Sequence, residues 1–187
     1  MTARSATDGV VMAPPLRKLE TGFEPVTAAE FRAAISGLAT AVSVLTTDGR
    51  AGRAGLTCSA VCSVSDSPPT ILACVNRRSA AYATIIANGV FCANCLPAGQ
   101  SDLSQLFAGV GQVPMADRFD PSLWSALCTG APCLKDGLTV FDCELAGARE
   151  VATHGVLIGR VLATADNGSV EPLIHHRQRY ATTRALP

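Results

Sequence analysis

The sequence carries no net charge and little charge of either sign: 15 Lys and Arg balance 15 Asp and Glu, and charged residues make up 16% of its 187 positions. That balance excludes the basic field of a protein whose main partner is nucleic acid or an anionic membrane surface. No apolar run approaches the ~20 residues needed to span a bilayer. The first 26 residues hold Pro14-Pro15 and scattered charges but no sustained apolar stretch of a secretory signal. They are expected to form a flexible leader, with 27–187 as one domain of a cytoplasmic protein. No Gly-x-Gly-x-x-Gly follows a strand-like segment, because Gly109-Val-Gly111 runs into a proline-containing stretch. P-loop spacing and a Gly-x-Ser-x-Gly elbow are missing too. The three histidines, His154, His175 and His176, lack the spacing of a zinc helix, so no metal site is expected. There is no internal repeat.

What is there is apolar. Hydrophobic residues reach 48%, leaving a lone domain little charge for its surface, and a homodimer that covers an apolar face is expected. Eight cysteines spread from Cys58 to Cys143 through strand-like segments. Cys92-Ala-Asn-Cys95 has redox or zinc spacing, yet residues three apart on a strand point to opposite faces. The cysteines therefore read as small buried hydrophobes in a reducing compartment.

Thr27-Ala-Ala-Glu30 is a capping box, and Phe31, Ala34, Ile35 and Leu38 follow at helical spacing, predicting a helix over 28–38. Ala41 to Thr47 reads as a strand, and Asp48-Gly49-Arg50 turns it back antiparallel. Pro68-Pro69 ends the next strand, since proline donates nothing to a ladder, and Thr70 to Asn76 resumes. Ser79 and Gly89 bracket a helix over 80–88, and strands are expected at 90–96, 138–146 and 155–163. A short helix covers 101–107, with a loop or flap from Ala108 to Pro121. Hairpin-linked strands with short interspersed helices make the fold mainly β, an antiparallel barrel rather than a doubly wound sheet.

The stretch from Gly55 to Ser65 is the most specific. Thr57, Ser59, Ser63 and Ser65 occupy odd positions, while Leu56, Cys58, Ala60, Cys62 and Val64 occupy even ones, the period of a strand with one polar face. The Asn76-Arg77-Arg78-Ser79 run places positive charge and a helix start nearby, suited to an anion such as phosphate. Periodicity alone fits two readings: hydroxyls facing a ligand, or an edge strand facing solvent.

These residues resemble a known family. Gly-x-Thr-x-Ser-Ala at 55–60, Ser63-Val-Ser65, Pro68-Pro69, Asn76-Arg-x-Ser79, Phe91 with Asn94, and His154 followed by Gly159-x-Val161 look like the short-chain flavin reductases, over about Phe31 to Tyr180. The resemblance implies a homodimeric, FMN-binding split barrel of antiparallel Greek-key strands. In it NADH or NADPH reduces FAD or FMN, and the reduced flavin passes to a flavin-dependent monooxygenase. Carried over by position, it implies that Thr57, Cys58, Ser59 and Ala60 line the isoalloxazine ring. Asn76, Arg77 and Ser79 hold the phosphate or ribityl end, Ser65 and Tyr180 join the cofactor-binding set, and His154 is the catalytic residue beside the nicotinamide. The family often has Gly-Asp before this histidine, where this chain has Ala152-Thr153. His154 as a structural histidine and Tyr180 as a packing residue are the competing readings. Two other functions share the barrel class: a non-catalytic flavin- or haem-binding protein, and a pyridoxine-phosphate oxidase-like enzyme, whose second phosphate needs more cations than are evident here.

Overall fold

The computed structural model describes residues 24–168 and 170–186. Of the expected leader only Glu24, Pro25 and Val26 fall among them. Helix α1 (Ala28–Ile35) opens on the capping box, with Thr27 and Glu30 satisfying each other's backbone N–H. It stops a turn short of Leu38, because the Ser36 hydroxyl bonds the Ala33 carbonyl at 2.7 Å and Gly37 follows.

Among the described residues twelve strands and two more α-helices follow: β1 (Thr40–Ala41), β2 (Ser43–Thr47), β3 (Ala54–Cys58), β4 (Val61–Asp66), β5 (Pro69–Asn76), α2 (Ala80–Asn88), β6 (Val90–Cys95), α3 (Ser101–Phe107), β7 (Trp124–Ala126), β8 (Pro132–Leu134), β9 (Thr139–Val151), β10 (His154–Asp166), β11 (Ile174–His176) and β12 (Arg179–Ala181). Seven of them form one antiparallel sheet in the order β3-β2-β6-β9-β10-β5-β4. Its two edges, β3 and β4, are neighbours in sequence, so the sheet must curl until they meet. The seam is visible: Cys74 N–H donates to Ala60 O at 2.9 Å and Cys58 Sγ to Cys74 O at 3.4 Å. With β6 returning beside β2 and β10 beside β5, this is the expected split barrel with Greek-key crossings.

The seam also corrects the reading of Gly55 to Ser65 as one strand. The chain leaves β2 after Cys58 and takes β5 as its partner from Val61, and a register shift follows between Ser63 and Ser65. A period of two says which way a side chain points, not which neighbour the backbone bonds. The hydroxyls therefore do not form one row, and the apolar positions divide too. Cys58 lies inside the barrel, whereas Cys62 is exposed and Val64 is 54% exposed. Five of the eight cysteines, Cys58, Cys92, Cys95, Cys133 and Cys143, are buried as expected.

Strands β9 and β10 run well past 138–146 and 155–163, joined by a tight turn at Ala152-Thr153. The added lengths carry Arg149, Glu150 and Asp166 on exposed positions, which hides them from an apolar pattern. The hairpins β7–β8 and β11–β12, three residues per strand, were too short to register as periods. Leu45, Ile85, Phe91, Ala93, Cys143 and Leu157 fill the barrel. A second core packs Phe107 of α3 edge to face on Phe119 and on Trp124, with those two rings tilted against each other and all centroids 5.1–5.6 Å apart. Among the described residues no helix is long and apolar enough to cross a membrane.

Candidate active site

Two clusters of polar groups adjoin at the seam. The first is built by α3, which lies close on β3 because Gly55 has no side chain: a Cβ there would stand 2.7 Å from Cε1 of Phe107. That approach lets Thr57 Oγ1 donate to the Ser104 carbonyl at 2.6 Å, while Ser104 Oγ meets the Tyr180 hydroxyl at 2.9 Å. The small sheet β1-β11-β12 closes the other side, with His175 paired to both Thr40 and Tyr180. On the α1 side of that sheet lies a cleft of about 610 Å³ lined by α1, Thr40, Ser59, Ala60, His175 and Gln178. A smaller one of about 220 Å³, lined by Thr57, Ser104, Ala108 and Tyr180, shares Ser59 and His175 with it.

The second cluster lies past the seam. Ala60 bonds Cys74, and Asn76 follows two residues later, about 7 Å along β5. Asn76 pairs with His154 across the ladder. The Asn76 side chain accepts from Arg78 N–H at 2.9 Å and its carbonyl from Ser79 N–H at 3.0 Å, a tight turn that delivers the chain into α2. Gly155 is required here, since a Cβ would lie only 2.2 Å from the Tyr82 ring of α2. The His154 ring meets Thr153 Oγ1 through Nδ1 at 2.9 Å, leaving Nε2 without a hydrogen-bond partner among the described residues.

A model of the flavin reductase-like domain matches residues 35–184, both clusters included. The chain belongs to the flavin reductase family. The reductase is 46% identical over 168 residues to an FMN reductase (NADH) RutF 1 of Methylorubrum extorquens, covering 90% of this chain and 83% of that one. Among solved structures it resembles one from Haemophilus somnus 129pt, provisionally named a flavin reductase, at 39% identity and a TM-score of 0.80 over 84% of this chain and 100% of that one. It also resembles the styrene monooxygenase flavin reductase of Pseudomonas putida S12, at 26% identity and a TM-score of 0.73 over 84% and 98%. The reductase is thus an oxidoreductase, and the family's barrel is the observed one.

Measured against this fold, the residues singled out in the sequence separate. Thr57, Ser59, Ala60 and Tyr180 meet at the clefts, and Asn76, Arg77, Ser79 and His154 meet at the start of α2. Ser65 joins neither; its hydroxyl accepts from Ser67 N–H at 3.1 Å in the turn at the far end of β4. Cys58 points into the barrel, where burial pushes its thiol up to about 11, so only its backbone is available to a ligand. Ser79 is the N-cap residue of α2, but its side chain makes no capping bond, and the first turn holds no acidic residue. The helix N-terminus thus keeps N–H groups and a hydroxyl for an anion. Arg77 is already engaged, 2.8 Å from Glu150 and 3.3 Å from the Ala152 carbonyl, while the Arg78 guanidinium has no partner among the described residues. These groups fit a flavin phosphate, and the adjoining cleft has the size of a cofactor pocket.

Sequence reasoning missed Ser104, His175 and Arg32, which share the clefts with the expected residues. The spacing of His175 and Tyr180 about the turn residues Arg177-Gln178 was the available signal, as a two-residue hairpin makes them cross-strand neighbours. It also missed that Cys92, Cys133 and Asp142 bring their ligand atoms within 4.8 Å of one another. Asp142 is spoken for, accepting from Cys128 N–H, Thr129 N–H and the Thr129 hydroxyl, and so anchors the turn before β8.

Proposed function

We propose that the domain from 27 to 187 oxidises NADH and reduces FMN, held from the cleft at Ser59 and Ala60 to the N-terminus of α2, and hands the reduced flavin to a flavin-dependent monooxygenase. The observation that carries this reading is the continuity of the two clusters. Ring-sized clefts and an anion-binding helix start adjoin at the seam, with His154 beside the anion end. Bound flavin supplies the hydride acceptor. The chain's own part is to hold and orient: Ser59 offers its hydroxyl and Thr57, whose proton is held by the Ser104 carbonyl, an acceptor oxygen to the ring edge, and Arg78, Ser79 and free N–H groups of α2 bind the phosphate. His154 presents Nε2 where the nicotinamide enters. FMN and NADH are favoured by the similarity to the Methylorubrum reductase, and a monooxygenase partner by the similarity to the styrene monooxygenase component.

The proposed assembly is a homodimer in the cytoplasm. Val64 of β4 and Ile158 and Leu162 of β10 are exposed apolar residues on the two strands that flank β5, and Cys62, Leu72 and Ile158 stand in register across β4, β5 and β10. A second copy covering that face removes the exposed patch. Five buried free thiols suit a reducing compartment. The function is tested by following the nicotinamide absorbance band with protein, NADH and FMN. Oxidation dependent on added flavin is expected, and none with FMN or FAD, from NADH or NADPH, refutes the reading. Light scattering on a sizing column checks the dimer.

A further inference from the structure

We infer that His175 is a positioning residue for the flavin, donating a ring N–H to the carbonyl-bearing pyrimidine edge of the isoalloxazine; this rests on the flavin reductase reading above. His175 lines both clefts, together with Ser59, and its imidazole makes no hydrogen bond among the described residues. A half-buried donor facing a cleft and left unpaired is available to a ligand.

Its orientation is set in advance. The backbone is bonded on both sides, to Thr40 of β1 and Tyr180 of β12. The ring meets Tyr180 edge to face, centroids 6.1 Å apart, and Tyr180 is itself tethered to Ser104. A donor fixed this way loses little freedom when a ligand arrives. The turn that follows is held against its preference: Arg177 and Gln178 both have positive φ, +48° and +61°, where glycine or asparagine is favoured. Arg177 N–H is tied to Ser36 O at 2.7 Å, so the turn, β11 and the end of α1 form one braced wall. Such conformations persist where the surroundings impose them, commonly beside ligands. The other charged or titratable groups on these clefts are Arg32 from α1 and Tyr180 from β12. Arg32, on the same cleft as His175, adds positive charge that suits electron-rich carbonyl oxygens, while the anionic tail is served by the N-terminus of α2.

The experiment titrates FMN into the full-length protein and reads quenching of flavin fluorescence. His175→Phe keeps the edge contact with Tyr180 and removes the ring nitrogens. Its FMN dissociation constant should rise about tenfold, and KM for FMN should rise with kcat held, as expected for one lost hydrogen bond. His175→Gln restores a donor and should return affinity to within about threefold of the parent. His176→Ala, the adjacent position on the opposite face of β11, should bind as the parent does. The His175 ring resonances of the unmodified protein should also shift on adding FMN. Unchanged affinity in His175→Phe, or a ring signal unmoved at saturating FMN, overturns the inference. A parent protein that neither binds flavin nor oxidises NADH overturns the reading beneath it, a different result from the first two.

Discussion

Gly159→Ala tests whether the barrel is as tightly closed as it looks. Gly159 lies on β10, and a Cβ there would stand 2.4 Å from Cζ and 2.8 Å from Cε1 of Phe91, and 3.0 Å from Cβ of Cys143. Carbon atoms rest about 3.5–4.0 Å apart, so the ring must retreat by roughly 1 Å. Phe91 is fully buried, and the space behind it is taken by other core side chains such as Leu45, Ile85 and Leu157, so no exposed side exists to absorb the shift. Overpacking of this kind costs about 1–3 kcal/mol, and a ring caged on every side belongs in the upper half. For a chain of this length that is a fall in Tm of roughly 5–10 °C. Trp124 is the sole tryptophan and belongs to the second core, so its fluorescence reports unfolding in urea or on heating. A second variant sharpens the test: Phe91→Leu shortens the offending side chain. The double variant should then be less destabilised than the sum of the two single changes, by about 1 kcal/mol. A Gly159→Ala protein within about 0.5 kcal/mol of the parent, or strictly additive changes, refutes the packing argument.

Three further outcomes follow from particular residues. Ala152 sits at φ +48° in the β9–β10 turn, where an L side chain is strained, so Ala152→Gly should raise stability by about 1 kcal/mol in a thermal melt. Asp142→Ala strips the partner from three donors near β8 and should cost about 3 kcal/mol or more, read by urea unfolding, whereas Asp142→Asn keeps an acceptor and should cost less. Burial raises the thiols of Cys58 to about 11 and Cys143 to about 12 from 9.0. Both are protonated in each state below pH 9, so their contribution is complete there. Above it the unfolded chain ionises first and stability falls by about 1.4 kcal/mol per pH unit for each thiol until the folded values are reached. Melts between pH 8 and 10.5, in both the parent and Cys143→Ala, check the sign: the parent should lose stability more steeply.

Much of the fold was legible because it rests on local chemistry. The capping box at Thr27 and Glu30, the bracket of Ser79 and Gly89 around α2, and the break at Pro68-Pro69 are short-range effects, and the structure keeps each of them. Ser79 shows the limit: it begins the helix, but whether its hydroxyl caps depends on how the Asn76 turn delivers the chain. The family motifs likewise placed the residues at 57–60 and 76–79 together, but not the ion pair that Arg77 makes with Glu150, because that pairing arises across strands 73 positions apart.

The amino-acid sequence by itself determined the strand periods, the helix starts, the charge balance that leaves no basic field, and the motifs that mark a flavin reductase. Tertiary structure alone decided the partners. It cut the hydroxyl-bearing stretch at Ser59-Ala60 and sent its halves to opposite edges of one sheet, so the expected row became a seam. It also brought Ser104, His175 and Arg32 to the clefts from three distant segments. The physical reason is that side-chain direction follows the local backbone, whereas the choice of hydrogen-bonded neighbour follows from closing the barrel around Phe91 and Leu157.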